Sequence, residues 1–112
     1  MTVTARPLVN AGYVAAAETS VYTAPTGTRT ILDKFTVWNT DTTPIAYTVK
    51  LVPNGGTASA SHVIVTKTIS PSEAYTMPEV VGHVLESGGF ISEVAGTADK
   101  LVRRISGREV TN

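Results

Sequence analysis

Two alternating runs, Thr30-Ile-Leu-Asp-Lys-Phe-Thr-Val-Trp38 and Ile45-Ala-Tyr-Thr-Val-Lys-Leu-Val52, flank Asn39-Thr-Asp-Thr-Thr-Pro44 and decide how this chain is read. Side chains on a strand point alternately to opposite faces. Ile31, Phe35 and Val37 therefore fall on one face of the first run, and Ile45, Tyr47, Val49 and Leu51 share a face of the second. The expectation is a hairpin over residues 29–52 with one buried face. Trp38, the single tryptophan, has the parity opposite to Phe35, so the hairpin carries apolar area on both sides near its turn. That is the signature of a second contact surface.

Working outward, residues 1–19 are small and weakly patterned, with Pro7, Gly12 and Ala15-Ala-Ala17, and are read as an extended N-terminal arm. Such arms are either frayed termini or segments whose Val3, Leu8, Val9, Tyr13 and Val14 are received by a neighbouring subunit. Residues 20–112 then form a single β-sandwich domain, in line with the one core that 112 residues support. Ser20-Val-Tyr-Thr-Ala24 is a short strand closed by Pro25-Thr-Gly27, where proline sets φ and glycine accepts the left-handed conformation. Residues 53–61 form a loop, 62–70 a strand, and 73–77 a short strand. Pro78 opens 79–86, read as one short helix with a strand as the competing reading, because Gly82 and three valines disfavour a helix. Strands at 90–95 and 100–110 complete the chain. Strands with turn signals about every ten residues mark an all-β protein, and a jelly-roll-like antiparallel β-sandwich fits best, ahead of an immunoglobulin-like sandwich.

Composition narrows the function. Only 16% of residues are charged, against about 25% in ordinary globular chains. A surface of Thr, Ser, Ala and Gly is comfortable against other protein. Net charge is zero, which removes the overall field that gathers nucleic acid or an anionic membrane. There are no cysteines, so packing or assembly must stabilise the fold. No apolar run reaches the roughly 20 residues that span a bilayer, and the N-terminus has no export-signal pattern, so synthesis in the cytoplasm is expected. Charge is segregated: Glu73, Glu79, Glu86, Glu93 and Asp99 are followed by Lys100, Arg103, Arg104 and Arg108. Arg103 and Arg104 must point to opposite faces of a strand, and these arginines pair with acids locally or across a subunit contact.

No catalytic constellation emerges. Glu79, His83 and Glu86 would share a face only if their segment were helical, and a solvated face explains them. Carboxylate pairs for glycoside hydrolysis are available only as surface residues, and neither a nucleophile elbow nor a phosphate loop is present. The expectation is a protein that is not an enzyme and uses no cofactor. Of the aromatics, core packing accounts for Tyr47, Tyr22 and Tyr75. Trp38 stands out, and Trp38-Asn-Thr-Asp41 is the one local pattern suited to a glycan.

The segments Val21-Tyr-Thr-Ala-Pro-Thr-Gly-Thr-Arg-Thr-Ile31, Met77-Pro-Glu-Val-Val-Gly82, Ser87-Gly-Gly-Phe-Ile-Ser92 and Ile105-Ser-Gly-Arg-Glu109 resemble small virion proteins of tailed bacteriophages. Among these the sequence is similar, over residues 20–110, to the capsid decoration or cement proteins of short-tailed phages, which are jelly rolls of this size. The resemblance implies a structural protein on the outer capsid surface of the virion, made in the host cytoplasm. Its partner would be the major capsid protein, and it would be a homo-oligomer, a dimer above all, at capsid symmetry axes. A tail-associated or glycan-binding module is the alternative. Expected contact residues are Leu8, Tyr13, Trp38, Arg103, Arg104 and Arg108, with no nucleic acid, membrane or metal involved.

Overall fold

The fold was obtained as a computed structural model that describes residues 1–111. Asn112, the last residue of the expected sandwich domain, lies outside the described residues. Among the described residues nine strands follow in order: β1 (Thr2–Tyr13), β2 (Thr19–Thr23), β3 (Thr28–Asn39), β4 (Ile45–Val52), β5 (Val63–Ile69), β6 (Ala74–Tyr75), β7 (Val84–Leu85), β8 (Phe90–Ala95) and β9 (Leu101–Thr111). One sheet has the order β1-β9-β3-β6, with β7 also paired to β3, and the other has the order β2-β8-β4-β5. Every pairing is antiparallel. Apart from the β4–β5 hairpin and the short β6 and β7, each connection crosses from one sheet to the other. Two four-strand paths interleaved in this way make a jelly roll.

Residues 29–52 do not form a hairpin. β3 lies between β9 and the short strands β6 and β7, while β4 lies between β8 and β5, so residues 40–44 arch from one sheet to the other. The reason is the apolar content of both strands. Side by side they would share one face, whereas face to face each covers the other. Phe35 and Tyr47, both fully buried, meet edge-to-face with centroids 6.1 Å apart, a favoured aromatic geometry. Asn39 holds the arch together. Its Nδ2 donates to the carbonyls of Thr43 and Ile69 at 2.9 Å, and its Oδ1 accepts from the amide of Asp41 at 2.8 Å. A register shift between Leu32 and Lys34 reverses the parity of the strand, so Leu32 is buried in place of Ile31. Such bulges insert one residue and swap the faces beyond it.

The N-terminal segment is extended, as expected, but it is strand β1, laid along β9 of its own chain from Thr2 opposite Thr111 to Tyr13 opposite Val102. It lacks alternation because it is an edge strand that enters the core only at Leu8 and Val9, beside its register shifts. Val14, fully buried, then carries the chain to the other sheet, its amide donating to the Leu101 carbonyl at 2.9 Å.

Residues 79–86 are not helical. Gly82 has φ +95°, its amide donates to the Leu32 carbonyl at 2.7 Å, and Leu32 returns a bond to the His83 carbonyl at 3.0 Å. β7 then pairs with Thr30 and Ile31. The open edge of β3 offers these residues a ladder, and their β-branched valines fit a strand better than a helical turn. The single helical element among the described residues is a 3-10 turn at Ala60–His62.

Candidate interaction surface

The interior of the jelly roll holds two polar bridges, and both are closed. Glu93 on β8 and Arg103 on β9 face each other across the core, with Arg103 Nη2 3.0 Å from Glu93 Oε2 and Arg103 Nε donating to Oε1 at 3.0 Å. Tyr47 donates its hydroxyl to the same Oε1 at 2.7 Å. Arg103 Nη1 also reaches the carbonyls of Gly12 and Asn10, at 3.2 and 3.5 Å, where β1 is irregular. Burial pushes the Glu93 carboxyl above its ordinary value, outweighing the hydrogen bonds from Tyr47 and the charge of Arg103. Burial, with the nearby Glu93 charge, raises the Tyr47 hydroxyl well above its own. A carboxylate, a phenol and a guanidinium in contact resemble catalytic machinery. Here Glu93 is only 1% exposed and every group is already paired, so the cluster ties the two sheets together.

The second bridge sits toward the ends of β1 and β9. Tyr22 on β2 shares a hydrogen bond with Thr30 at 2.8 Å and donates to Glu109, which also meets Arg6 at 3.4 Å. Burial and the Glu109 carboxylate push the Tyr22 hydroxyl up to about 12.

Among the described residues, no buried side-chain nitrogen or oxygen lacks a partner, and no three His, Asp or Glu residues gather as a metal site. Without the helix, Glu79 accepts the Tyr75 hydroxyl at 2.7 Å and Glu86 pairs with Arg29 at 3.1 Å. Two open depressions, of about 230 and 220 Å³, lie near Leu51, Val84 and Glu86 and near Met1, Thr28 and Glu86. Both are smaller than ordinary ligand pockets. Neither brings two carboxylates together as glycoside hydrolysis requires. No helix among the described residues is long and apolar enough to cross a membrane.

What remains is the outward face of the β1-β9-β3 sheet. The register places Tyr13 opposite Val102, Val102 opposite Trp38, and Trp38 opposite Ala74. Directly paired residues project to the same side, so these side chains form a row across four strands. Tyr13 is 57% and Trp38 46% exposed. The next positions on this face are Arg104 opposite Thr36, then Lys34 opposite Ser106. All of them are carried by the hydrogen-bonded ladders of a packed sheet, which holds the row rigid.

The expected contact residues therefore divide. Tyr13, Trp38 and Arg104 come together on this face. Arg108 lies farther along β9 and forms a two-pronged pair with Asp33, at 2.9 and 3.0 Å. Leu8 and Arg103 point the other way, into the chain's own core. Reading the sequence missed Val102 and Lys34. Strand alternation does put Val102 with Arg104, but their place beside Trp38 depends on a register between residues more than sixty positions apart.

No protein-family model and no curated protein matches this chain. Among solved structures, a protein of the disulfide-linked pili that form Bacillus endospore appendages is similar in fold, with a TM-score of 0.57 and 11% identity over 98% of this chain and 88% of that one. Chains of infectious bursal disease virus, Gx and Gt strains, align with TM-scores of 0.41 and 0.38 and 10% identity. This chain covers 32% of each of those viral chains. At these identities the likeness is one of fold.

Proposed function

We propose that this chain is a structural virion protein that binds the outer surface of a bacteriophage capsid, contacts the major capsid protein and stabilises the junctions between capsomers, acting as a homo-oligomer, a dimer above all, at capsid symmetry axes. The observation that carries this reading is the exposed aromatic row on a rigid sheet, in a molecule whose buried side-chain nitrogens and oxygens, among the described residues, all have partners. The surface, by contrast, offers anchors. The resemblance of residues 20–110 to phage decoration proteins, the low charge and the jelly-roll fold point the same way.

The energetics favour repeated binding. Covering the remaining exposed half of a tryptophan, roughly 100 Å², is worth about 2–3 kcal/mol. Association costs at least about 4 kcal/mol in lost freedom. One row of anchors holds weakly, whereas an oligomer seated on a symmetric shell engages several rows at once and gains from their effective concentration.

Trp38 also suits a glycan, but the polar partners of that reading are occupied. Asn39 is fully buried in the arch, and Asp41 accepts from the amide of Thr42 and the hydroxyl of Thr43, each at 2.8 Å.

The test is to mix purified protein with capsid particles that lack it and to separate bound from free by sedimentation. Saturable binding, accompanied by greater resistance of the particles to heat, is expected. No binding to capsids, with clear binding to host-surface glycans, would replace this reading with the adhesin one.

A further inference from the structure

On the basis of that reading, we infer that the outward face of the β1-β9-β3 sheet docks onto an acidic patch of the capsid protein, with Trp38 and Tyr13 as apolar anchors and Arg104 and Lys34 as the cations that meet its carboxylates. The pattern of ion pairs carries this. Arg6, Arg29, Lys50, Arg103 and Arg108 each have a carboxylate partner within the chain. Lys67 lies over the Tyr75 ring, 4.9 Å from its centroid. The other three cations, Lys34, Lys100 and Arg104, have no ion-pair partner among the described residues; Lys100 is half-buried just before β9 with its charge near Asp41, whereas Lys34 and Arg104 are exposed.

These two cations are on the same face. Arg104 is opposite Thr36 and Lys34 is opposite Ser106, one step farther along, which makes them diagonal neighbours about 7–8 Å apart. Two like charges so placed repel each other until a counter-charge arrives. Arg104 adjoins the Tyr13–Val102–Trp38 row, so a partner that covers the tryptophan also excludes water from the cations and strengthens their attraction to carboxylates.

A second copy of this chain does not suit the face. Pairing about a two-fold axis sets a patch against itself, which would bring the unpaired Lys34 and Arg104 against a face whose neighbouring acid, Asp33, is already held by Arg108. Nucleic acid fits poorly as well, because the two exposed, unpaired cations of this face are few beside the six to ten phosphate contacts, roughly, of a typical binder. An acidic protein surface satisfies both the charge and the apolar area.

The experiment uses the intact protein and empty particles assembled from the phage's major capsid protein, with binding measured by sedimentation at two salt concentrations. Arg104→Glu and Lys34→Glu should each weaken binding by about tenfold or more at low salt and reduce its salt dependence. Trp38→Ala should weaken it by roughly thirtyfold. Thr66→Glu, on the other sheet, should bind as wild type does, and all four variants should keep the wild-type circular dichroism and oligomeric state. If wild type binds and the three face variants bind equally well, this docking face is wrong while the capsid reading stands. If wild type does not bind at all, the capsid reading itself falls. Loss of an oligomer in Trp38→Ala or Arg104→Glu would make the face a contact between copies, and displacement of capsids by a single-stranded oligonucleotide would make it a nucleic-acid site. Either result overturns the proposal.

Discussion

Glu93 and Arg103 belong to different sheets and meet inside the sandwich, the guanidinium Nη2 3.0 Å from the carboxylate Oε2 and both side chains nearly sealed from solvent. The same guanidinium reaches the backbone of β1 at Gly12 and Asn10, so one side chain joins three parts of the fold. Removing it leaves a buried carboxylate without its counter-charge, a loss that costs about 3–5 kcal/mol. Arg103→Ala is expected to lower stability by that amount in urea denaturation, whereas Arg108→Ala, which breaks a solvent-exposed pair, should cost about 1 kcal/mol or less. Equal effects would contradict the structural distinction between the two arginines.

The Glu93 carboxyl also sets a pH dependence. Burial holds its proton more tightly in the folded protein than in the unfolded chain, whose ordinary value is 4.5. The folded state therefore binds more protons in the window above 4.5, and this group's contribution is fully present below that value and declines as pH rises through the raised folded value. In Glu93→Gln the stability difference from wild type should change across this window and level off above it. A difference that is flat with pH would show that the carboxyl is not perturbed.

At the alkaline end the reporter is Tyr22, whose hydroxyl is pushed from 10.0 to about 12 by burial and by Glu109. The folded state keeps this proton longer than the unfolded chain does, so stability falls as pH rises between these two values. Tyr22→Phe should give up the hydrogen bonds to Thr30 and Glu109 near neutral pH and lose part of the alkaline decline. Tyrosinate absorbance read against chemical denaturation at each pH would measure both, and an unchanged decline would assign it to other groups.

Phe35 and Trp38 lie three positions apart on β3 and should respond in opposite ways. Phe35 is fully buried against Tyr47, so Phe35→Ala is expected to cost about 3–5 kcal/mol. Trp38 is 46% exposed, and Trp38→Ala should cost appreciably less than Phe35→Ala while quenching most of the intrinsic fluorescence. Thermal melts of the two variants check the order. A larger loss for Trp38 would place it in the core.

Gly107 lies where β9 passes between β3 and β1. A Cβ there would collide with the Ile31 carbonyl oxygen and come within 2.9 Å of Leu8 Cδ1. Since the backbone of a central strand cannot give way cheaply, Gly107→Ala should cost about 3 kcal/mol, at the upper end of overpacking effects. Faster amide exchange along β1 would localise the damage, and a variant as stable as wild type would show that β1 can shift to accept the methyl group.

The class of fold and most of the strands were legible in the residue pattern alone. Alternation and turn residues placed strands at 90–95 and 100–110, put Tyr47 and Val49 on a buried face, and set Arg103 and Arg104 on opposite sides, because strand geometry is local and has period two. Pairing is not local. A strand facing its partner across the core and one lying beside it have the same alternation, so residues 29–52 read as a hairpin although they arch between sheets. The bulge near Asp33, which exchanged Ile31 for Leu32, leaves no mark in the hydropathy pattern. The edge strand β1 buries too little to show a pattern at all, and within residues 79–86 only Val84 and Leu85 form a strand, because β3 offers them an open edge. The candidate surface followed the same rule. Trp38 was legible as a residue of the wrong parity, but only the long-range register of β1, β9 and β3 brought Tyr13, Val102, Arg104 and Lys34 beside it.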